Sequence, residues 1–312
     1  MSFFPTVSLI MPTFNKLSRL RFALKSLNKQ SYPFEKWELV IVDDGSTESV
    51  ENLLDELELN YHINYIFQSN SGRSIARNQG LDVAKGEIIV FMDDDLIASP
   101  NFVGAHFQAH EKSLEKVVRG SIFELSYYRF FQDPGKGELY PEFSNSANNI
   151  SELREKCTLL DLASEDYEQF ASMFKKSSRF EQGVQKELSR PPDERLLSWL
   201  GFNGGNVSAR KGWILKAGGF DEKLGKEWGA EDIELGYRLF KLNLFWEWEP
   251  LASNYHISHY RREFMTIGQK AHFYCLEKHP SLEMSLLWPY LEGRFDIDKY
   301  NYLVKNKITW RE

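Results

Sequence analysis

The sequence is poor in features that would set it apart from an ordinary globular chain. It has only two cysteines, Cys157 and Cys275, with no C-x-x-C spacing. That argues against a structural zinc site or a disulfide framework, and a reducing, cytoplasmic setting is expected. No stretch approaches the ~18–20 consecutive apolar residues of a membrane span, so no transmembrane helix is expected. The opening Met1-Ser2-Phe3-Phe4-Pro5 has no charged segment leading into a long apolar run, so no signal peptide is expected. Positive charge is in deficit: 38 Lys and Arg stand against 45 Asp and Glu, for a net charge of −7. A nucleic-acid partner is therefore not expected. Glycine-rich phosphate loops are also missing. There is no G-x-x-x-x-G-K-[ST], and Pro12-Thr13-Phe14-Asn15 stands where a nicotinamide dehydrogenase would carry G-x-G-x-x-G. No internal repeat is visible.

What is present is a chain of 312 residues, 42% hydrophobic, able to bury a substantial core. Its first 95 residues alternate strand and helix patterns. Val7 to Met11 is an apolar run that Pro12 is expected to stop, and Leu17, Leu20, Leu24 and Leu27 recur at helical spacing. Leu39 to Val42 ends in Asp43-Asp44-Gly45-Ser46, and an acidic helix is expected over about 47–59. Tyr65-Ile66-Phe67 reads as a third strand, 73–84 as a helix, and Ile88 to Met92 as a fourth strand running into Asp93-Asp94-Asp95. Apolar strands alternating with helices imply an α/β fold with a parallel sheet covered on both faces. In such sheets ligands bind beyond the carboxyl ends of the strands. The segments after strands one, two and four should therefore meet at one edge. Residues 121–198 read as a helical insertion, 199–260 as a return to compact α/β character, and 261–312 as a mostly helical tail.

Several residues carry chemistry. Three adjacent carboxylates at a strand end repel one another unless a cation offsets them, and hard oxygen ligands suit Mg²⁺ or Mn²⁺. A solvated acidic turn is the plainer alternative. Turning the segment from Glu231 at ~100° per residue puts Glu231, Glu234, Arg238 and Lys241 on a polar stripe. Asp232 then falls within the apolar arc, where a partly desolvated carboxylate suits a general base. A helix-dipole partner is the alternative, and it explains Glu231 better than Asp232. His256 and His259 follow a Trp-rich strand expected over 244–250, and one of them is a candidate metal ligand. Gly204 and Gly205, within Phe202 to Ser208, allow a ligand to approach the backbone closely, or else form an ordinary tight turn.

These motifs resemble family 2 glycosyltransferases of GT-A fold. The first half matches through Met11 to Asn15, Val42 to Ser46, Gly72 with Ala76 to Gly80, and Asp93 to Asp95. The second half resembles the chondroitin-polymerase and polypeptide-GalNAc-transferase branch through Phe202 to Asn206, Gly218 to Asp221, and Trp228 to Asp232. The resemblance implies a Rossmann-like, mostly parallel sheet flanked by helices, with a helical insertion and a helical tail. It divides the chain into a nucleotide-sugar half (1–120), an insertion that is a candidate acceptor lid (121–198), a catalytic and acceptor half (199–260), and the tail (261–312).

By position, the resemblance implies that Thr13 and Asp44 hold the uracil and ribose of a UDP-sugar, with Pro12 and Asn15 in the same donor loop and Arg77 near the nucleotide. Asp95 would bind Mn²⁺ or Mg²⁺, and Asp93 would touch ribose or metal beside Asp94. His256 would be the metal ligand from the second half, with His259 as its alternative. Trp228, Gly205 and Glu231 would border the donor sugar or acceptor, and Asp232 would be the catalytic base of an inverting displacement. Ala230 stands where the family often has glycine and would narrow the acceptor side. The rivals are a sugar nucleotidyltransferase, whose Gly-rich, Arg-containing loop is missing, and an inactive nucleotide-sugar-binding module. The donor sugar, the acceptor, the oligomeric state and any peripheral membrane contact stay open.

Overall fold

The computed structural model describes residues 5–143, 157, 159–225, 229–260 and 264–310. Its strands are β1 Val7–Thr13, β2 Trp37–Asp43, β3 His62–Phe67, β4 Ile88–Phe91, β5 Leu96–Ala98, β6 Lys116–Glu124, β7 Phe131–Asp133, β8 Glu138–Leu139, β9 Val207–Arg210 and β10 Phe245–His256. Its helices are α1 Leu17–Leu27, α2 Val50–Glu56, α3 Arg73–Val83, α4 Phe102–Glu111, α5 Leu159–Glu165, α6 Tyr167–Met173, α7 Arg179–Leu188, α8 Lys211–Lys216, α9 Glu231–Lys241, α10 Phe264–Lys278, α11 Leu282–Leu291 and α12 Ile297–Lys305. None of the described helices is long and apolar enough to cross a membrane.

Eight strands form one sheet in the order β3-β2-β1-β4-β9-β6-β10-β5. The first four are mutually parallel, as the apolar runs imply. β9 then enters antiparallel between β4 and β6, and β5 closes the far edge antiparallel to β10. Alternation along β1 divides the core between the sheet's two faces. Leu9 and Met11 join one cluster with Leu20 and Leu24 of α1 and Val103 of α4. Ile10 joins the other with Phe91, Trp199, Leu235 and Tyr300.

Four details differ from the sequence reading. Pro12 does not stop β1, which continues to Thr13 and pairs Pro12 with Val42. The ladder with β4 reaches only Ile10–Phe91, so the missing proline N–H falls beyond it. The acidic helix is shorter than expected, Val50–Glu56, because the Ser49 side chain caps it by accepting from Asn52 N at 3.1 Å. β10 is longer and has His256 as its last residue. β6 runs through position 120 into the expected insertion, with Ser121 to Glu124 paired to Ser253 to His256. Within the rest of that segment, Tyr128, Phe131 and Phe170 are buried against Ile97, Tyr255 and Ile257, so its aromatic residues hold it on the sheet.

Candidate active site

The three carboxylates after β4 have three different environments. Asp93 is partly exposed, and its Oδ1 lies 2.8 Å from Nη2 of the buried Arg77. Asp94 accepts a 2.7 Å hydrogen bond from the Thr13 hydroxyl. Its burial pushes its carboxyl up to about 7 despite nearby Lys16. Asp95 Oδ2 lies 3.0 Å from Lys16 Nζ, 3.2 Å from His259 Nδ1 and 3.6 Å from His256 Nε2. Burial would raise this carboxyl as well, but Lys16 and His256 outweigh it and hold Asp95 well below the usual range. His256 shows the reciprocal effect: burial opposes its charge, yet Asp95 and Glu124 lift it to about 9.

Asp95, His256 and His259 can each offer one ligand atom, all within 4.8 Å of one another. His256 Nδ1 lies 3.0 Å from Glu124 Oε2, leaving Nε2 on the Asp95 side. A carboxylate behind an imidazole is the usual way a metal-binding histidine is oriented. The residues therefore fit a divalent cation, and a mixed carboxylate and imidazole set suits Mn²⁺ better than Mg²⁺, which prefers oxygen ligands. Both histidines reach the group. Asp93 is not in the group; it turns to Arg77 instead.

The neighbouring loops are tied together by side chains. Asn15 has a left-handed backbone, φ 52°, its N–H donates to Ser46 Oγ at 3.0 Å, and its Oδ1 accepts from Thr47 N at 2.8 Å. Asp44 accepts from Gln68 Nε2 and Ser71 N on one oxygen and from Asn70 Nδ2 and Gly72 N on the other, all at 2.7–3.1 Å. A carboxylate has about four acceptor positions, so Asp44 is fully engaged in shaping the 68–72 loop that enters α3.

The start of α9 corrects the helical-wheel reading. Glu231 and Glu234, expected on an outer polar stripe, are buried, whereas Asp232, expected inward, is only partly buried. Glu231 Oε1 lies 3.0 Å from Arg77 Nη1 and 3.3 Å from Arg73 Nη1. Glu234 is held by Arg238 of its own helix and by Lys278 and His279 at the end of α10. Cations from elsewhere in the chain thus make an inward charged stripe tolerable. Asp232 lies beside this stripe, accepting from Gly204 N at 3.1 Å and Ile233 N at 2.8 Å. Burial and then the Glu231 charge push its carboxyl up to about 6, against the opposing pull of Arg77. It borders a cavity of about 330 Å³.

Arg77 joins the two ends of the site, bonding Asp93 with one nitrogen and Glu231 with the other. Gly204 makes room for it, because a Cβ there would lie inside contact distance of the guanidinium. Gly205 is locked by its own hydrogen bonds, from its N–H to Asn203 Oδ1 and to its C=O from Asn254 Nδ2. Ala230 adopts φ 67°, a left-handed conformation that costs a residue with a Cβ roughly 1–2 kcal/mol, which gives a physical reason for glycine at that position. Trp228 lies outside the described residues. Sequence reasoning missed Lys16, although it directly follows a loop placed at the ligand edge. It also missed Glu124 and Arg73, whose roles depend on strand register and helix packing and left no sequence signal.

The architecture is that of the GT-A transferases. Residues 8–178 match the family described as glycosyl transferase family 2, and the chain belongs to that family. Among its relatives is the chondroitin synthase of Escherichia coli, 29% identical over 252 residues that cover 80% of this chain and 34% of the relative. The hyaluronan synthase of Pasteurella multocida is 31% identical over 245 residues, covering 77% of this chain and 23% of the relative. The chain thus spans about a third or less of the length of these two relatives. The structure of GalNAc-T7 with UDP, GalNAc and Mn²⁺ superposes with a TM-score of 0.59 at 14% identity, covering 98% of this chain and 55% of that one.

Proposed function

We propose that the chain transfers a sugar from a UDP-sugar to a hydroxyl-bearing acceptor, with inversion at the anomeric carbon. The observation that carries this reading is the pairing of two contrasting centres across Arg77. On one side is the Asp95–His256–His259 group; on the other is Asp232, poised near neutrality. Relatives named as sugar-polymer synthases, and a GT-A neighbour solved with UDP and Mn²⁺, support it.

In this mechanism Asp232 takes the proton of the acceptor hydroxyl. The freed oxygen forms its bond to the anomeric carbon from the face opposite the donor diphosphate. The bond from that carbon to the β-phosphate oxygen breaks, and UDP leaves with the electron pair. Asp95, His256 and His259 would hold a divalent cation such as Mn²⁺, which would supply charge neutralisation at the departing diphosphate. Lys16 keeps Asp95 ionised, and Arg73 and Arg77 do the same for Glu231. Thr13, held to Asp94, and Asn15, held to the 46–47 turn, shape the loop that would receive the uridine. The division into a donor half (1–120) and an acceptor half (199–260) belongs to the same proposal.

The test is a panel of UDP-sugars incubated with the protein and Mn²⁺ without acceptor, read as released UDP. Slow hydrolysis of one donor, abolished by EDTA, is expected. Release from GDP-sugars alone would move the donor to another base, and full turnover in excess EDTA would remove the metal from the mechanism.

A further inference from the structure

The cavity beside Asp232 is walled on the far side by the C-terminal helices α10 and α11. Phe180 of α7, Ile233 of α9, and Leu287, Trp288 and Leu291 of α11 line it, so most of its wall is apolar. Its volume, about 330 Å³, lies at the low end of the range usual for small-molecule sites. There is room for a sugar ring and part of the group it is joined to, not for a length of folded polymer.

Three polar atoms of the lining have no hydrogen-bond partner among the described residues: Glu231 Oε2 beside Asp232, and two on the far wall. The Trp288 indole N–H is buried without an acceptor, and so is Nδ1 of His272, the α10 residue whose ring stacks on Trp288 with centroids 6.0 Å apart. Buried donors and acceptors left unpaired are costly, and such atoms on a cavity wall suit a ligand with hydroxyl groups. Burial drives His272 down to about 4, so it adds no positive charge at neutral pH. Among the described lining residues the one permanent cation is Arg73, which is already 3.3 Å from Glu231. A carboxylate or phosphate entering here would meet Asp232 and find no unengaged cation among the described lining residues.

We infer that this cavity is the acceptor subsite and that it takes an uncharged pyranoside, one hydroxyl presented to Asp232 and the apolar C–H face of the ring against Trp288 and Leu287. An apolar wall with a few convergent polar groups is the pattern by which small-molecule sites fix orientation, and an aromatic face suits the C–H side of a sugar. This inference rests on the transferase reading above for the role of Asp232. It also assigns acceptor recognition mainly to the tail; the 121–198 segment contributes Phe180 to the wall, while Tyr128, Phe131 and Phe170 pack on the sheet.

The test uses protein labelled with ¹⁵N at the tryptophan indoles, with the Trp288 resonance assigned through Trp288→Phe. UDP and Mn²⁺ are added first, then 4-nitrophenyl β-glucopyranoside, β-galactopyranoside, N-acetyl-β-glucosaminide or β-glucuronide at millimolar concentrations. At least one neutral glycoside should shift the Trp288 indole signal, while the glucuronide leaves it in place. Leu291→Trp, which fills the cavity, should abolish the shift, with the remaining indole signals showing that the chain is folded. If no neutral glycoside moves Trp288, or if the glucuronide moves it equally, the inference is overturned on wild-type data alone. The UDP step separates the two readings: UDP bound with no glycoside response removes only the acceptor subsite, whereas no response to UDP removes the donor reading.

Discussion

Asp95 and Asp232 are both carboxylates withdrawn from water at the same edge of one sheet, yet their surroundings drive them in opposite directions. Asp95 faces Lys16 and two imidazoles and is held well below its usual range. Asp232 sits beside Glu231, whose own charge is already taken by two arginines, and is pushed up to about 6. Desolvation raises both; the sign of the nearest neighbour decides the outcome. The strand-end region therefore keeps a carboxylate permanently ionised, as a cation ligand needs. The helix-start region keeps one that gains and loses a proton near neutrality, as a base needs. Such separation of two acids by environment is how one fold runs two roles.

The largest effect that would break this contrast is at the ionised end. Asp95→Ala should abolish transfer and remove the Mn²⁺ dependence of UDP binding, measured by calorimetry with and without EDTA. Unchanged Mn²⁺ dependence would mean that the strand-end group is not the cation site. Next, Asp232→Asn should lower kcat by roughly 10²–10⁴-fold, as loss of a general base does, with UDP affinity nearly unchanged. In the unmodified protein the base works only when deprotonated. The rate should therefore fall as pH drops through about 6 and level off above it, and Asp232→Asn should erase that acid limb.

Two further variants sharpen the comparison through Arg77. Gly204→Ala forces the guanidinium from its place between Asp93 and Glu231. It should destabilise the fold by about 1–3 kcal/mol, the usual cost of overpacking, in urea unfolding. Glu231→Gln removes a charge that raises Asp232, so the acid limb should move below 6, with a smaller loss of kcat than Asp232→Asn. An unmoved limb would mean that burial alone sets the Asp232 proton affinity. The smallest effect is expected from Ala230→Gly. It relieves a left-handed alanine but adds chain entropy to the unfolded state, so stability should change by no more than about 1 kcal/mol.

The parallel half of the fold was legible because buried strands are written as local apolar runs, each ended by polar residues at the ligand edge. Ile88 to Phe91 leading into Asp93 is the clearest instance. The second half was harder to read, because β9 is only four residues long and its place between β4 and β6 is decided by pairings across more than 80 residues. The helical wheel correctly separated Asp232 from Glu231 and Glu234 but assigned the wrong pair to solvent. A wheel assumes that charge faces water, whereas here Arg73, Arg77, Lys278 and His279 meet those glutamates from other elements.

By itself the sequence determined the α/β class, the convergence of the loops after the first, second and fourth strands, and the residue types at each strand end. All of these follow from local periodicity and from the geometry of parallel sheets. Only the tertiary structure decided that His256 and His259 both stand beside Asp95, that Glu124 orients His256, that Arg77 spans Asp93 and Glu231, and that α10 and α11 wall the cavity at Asp232. Those facts depend on which distant side chains share a buried volume, where charges act over a few ångströms regardless of their separation along the chain.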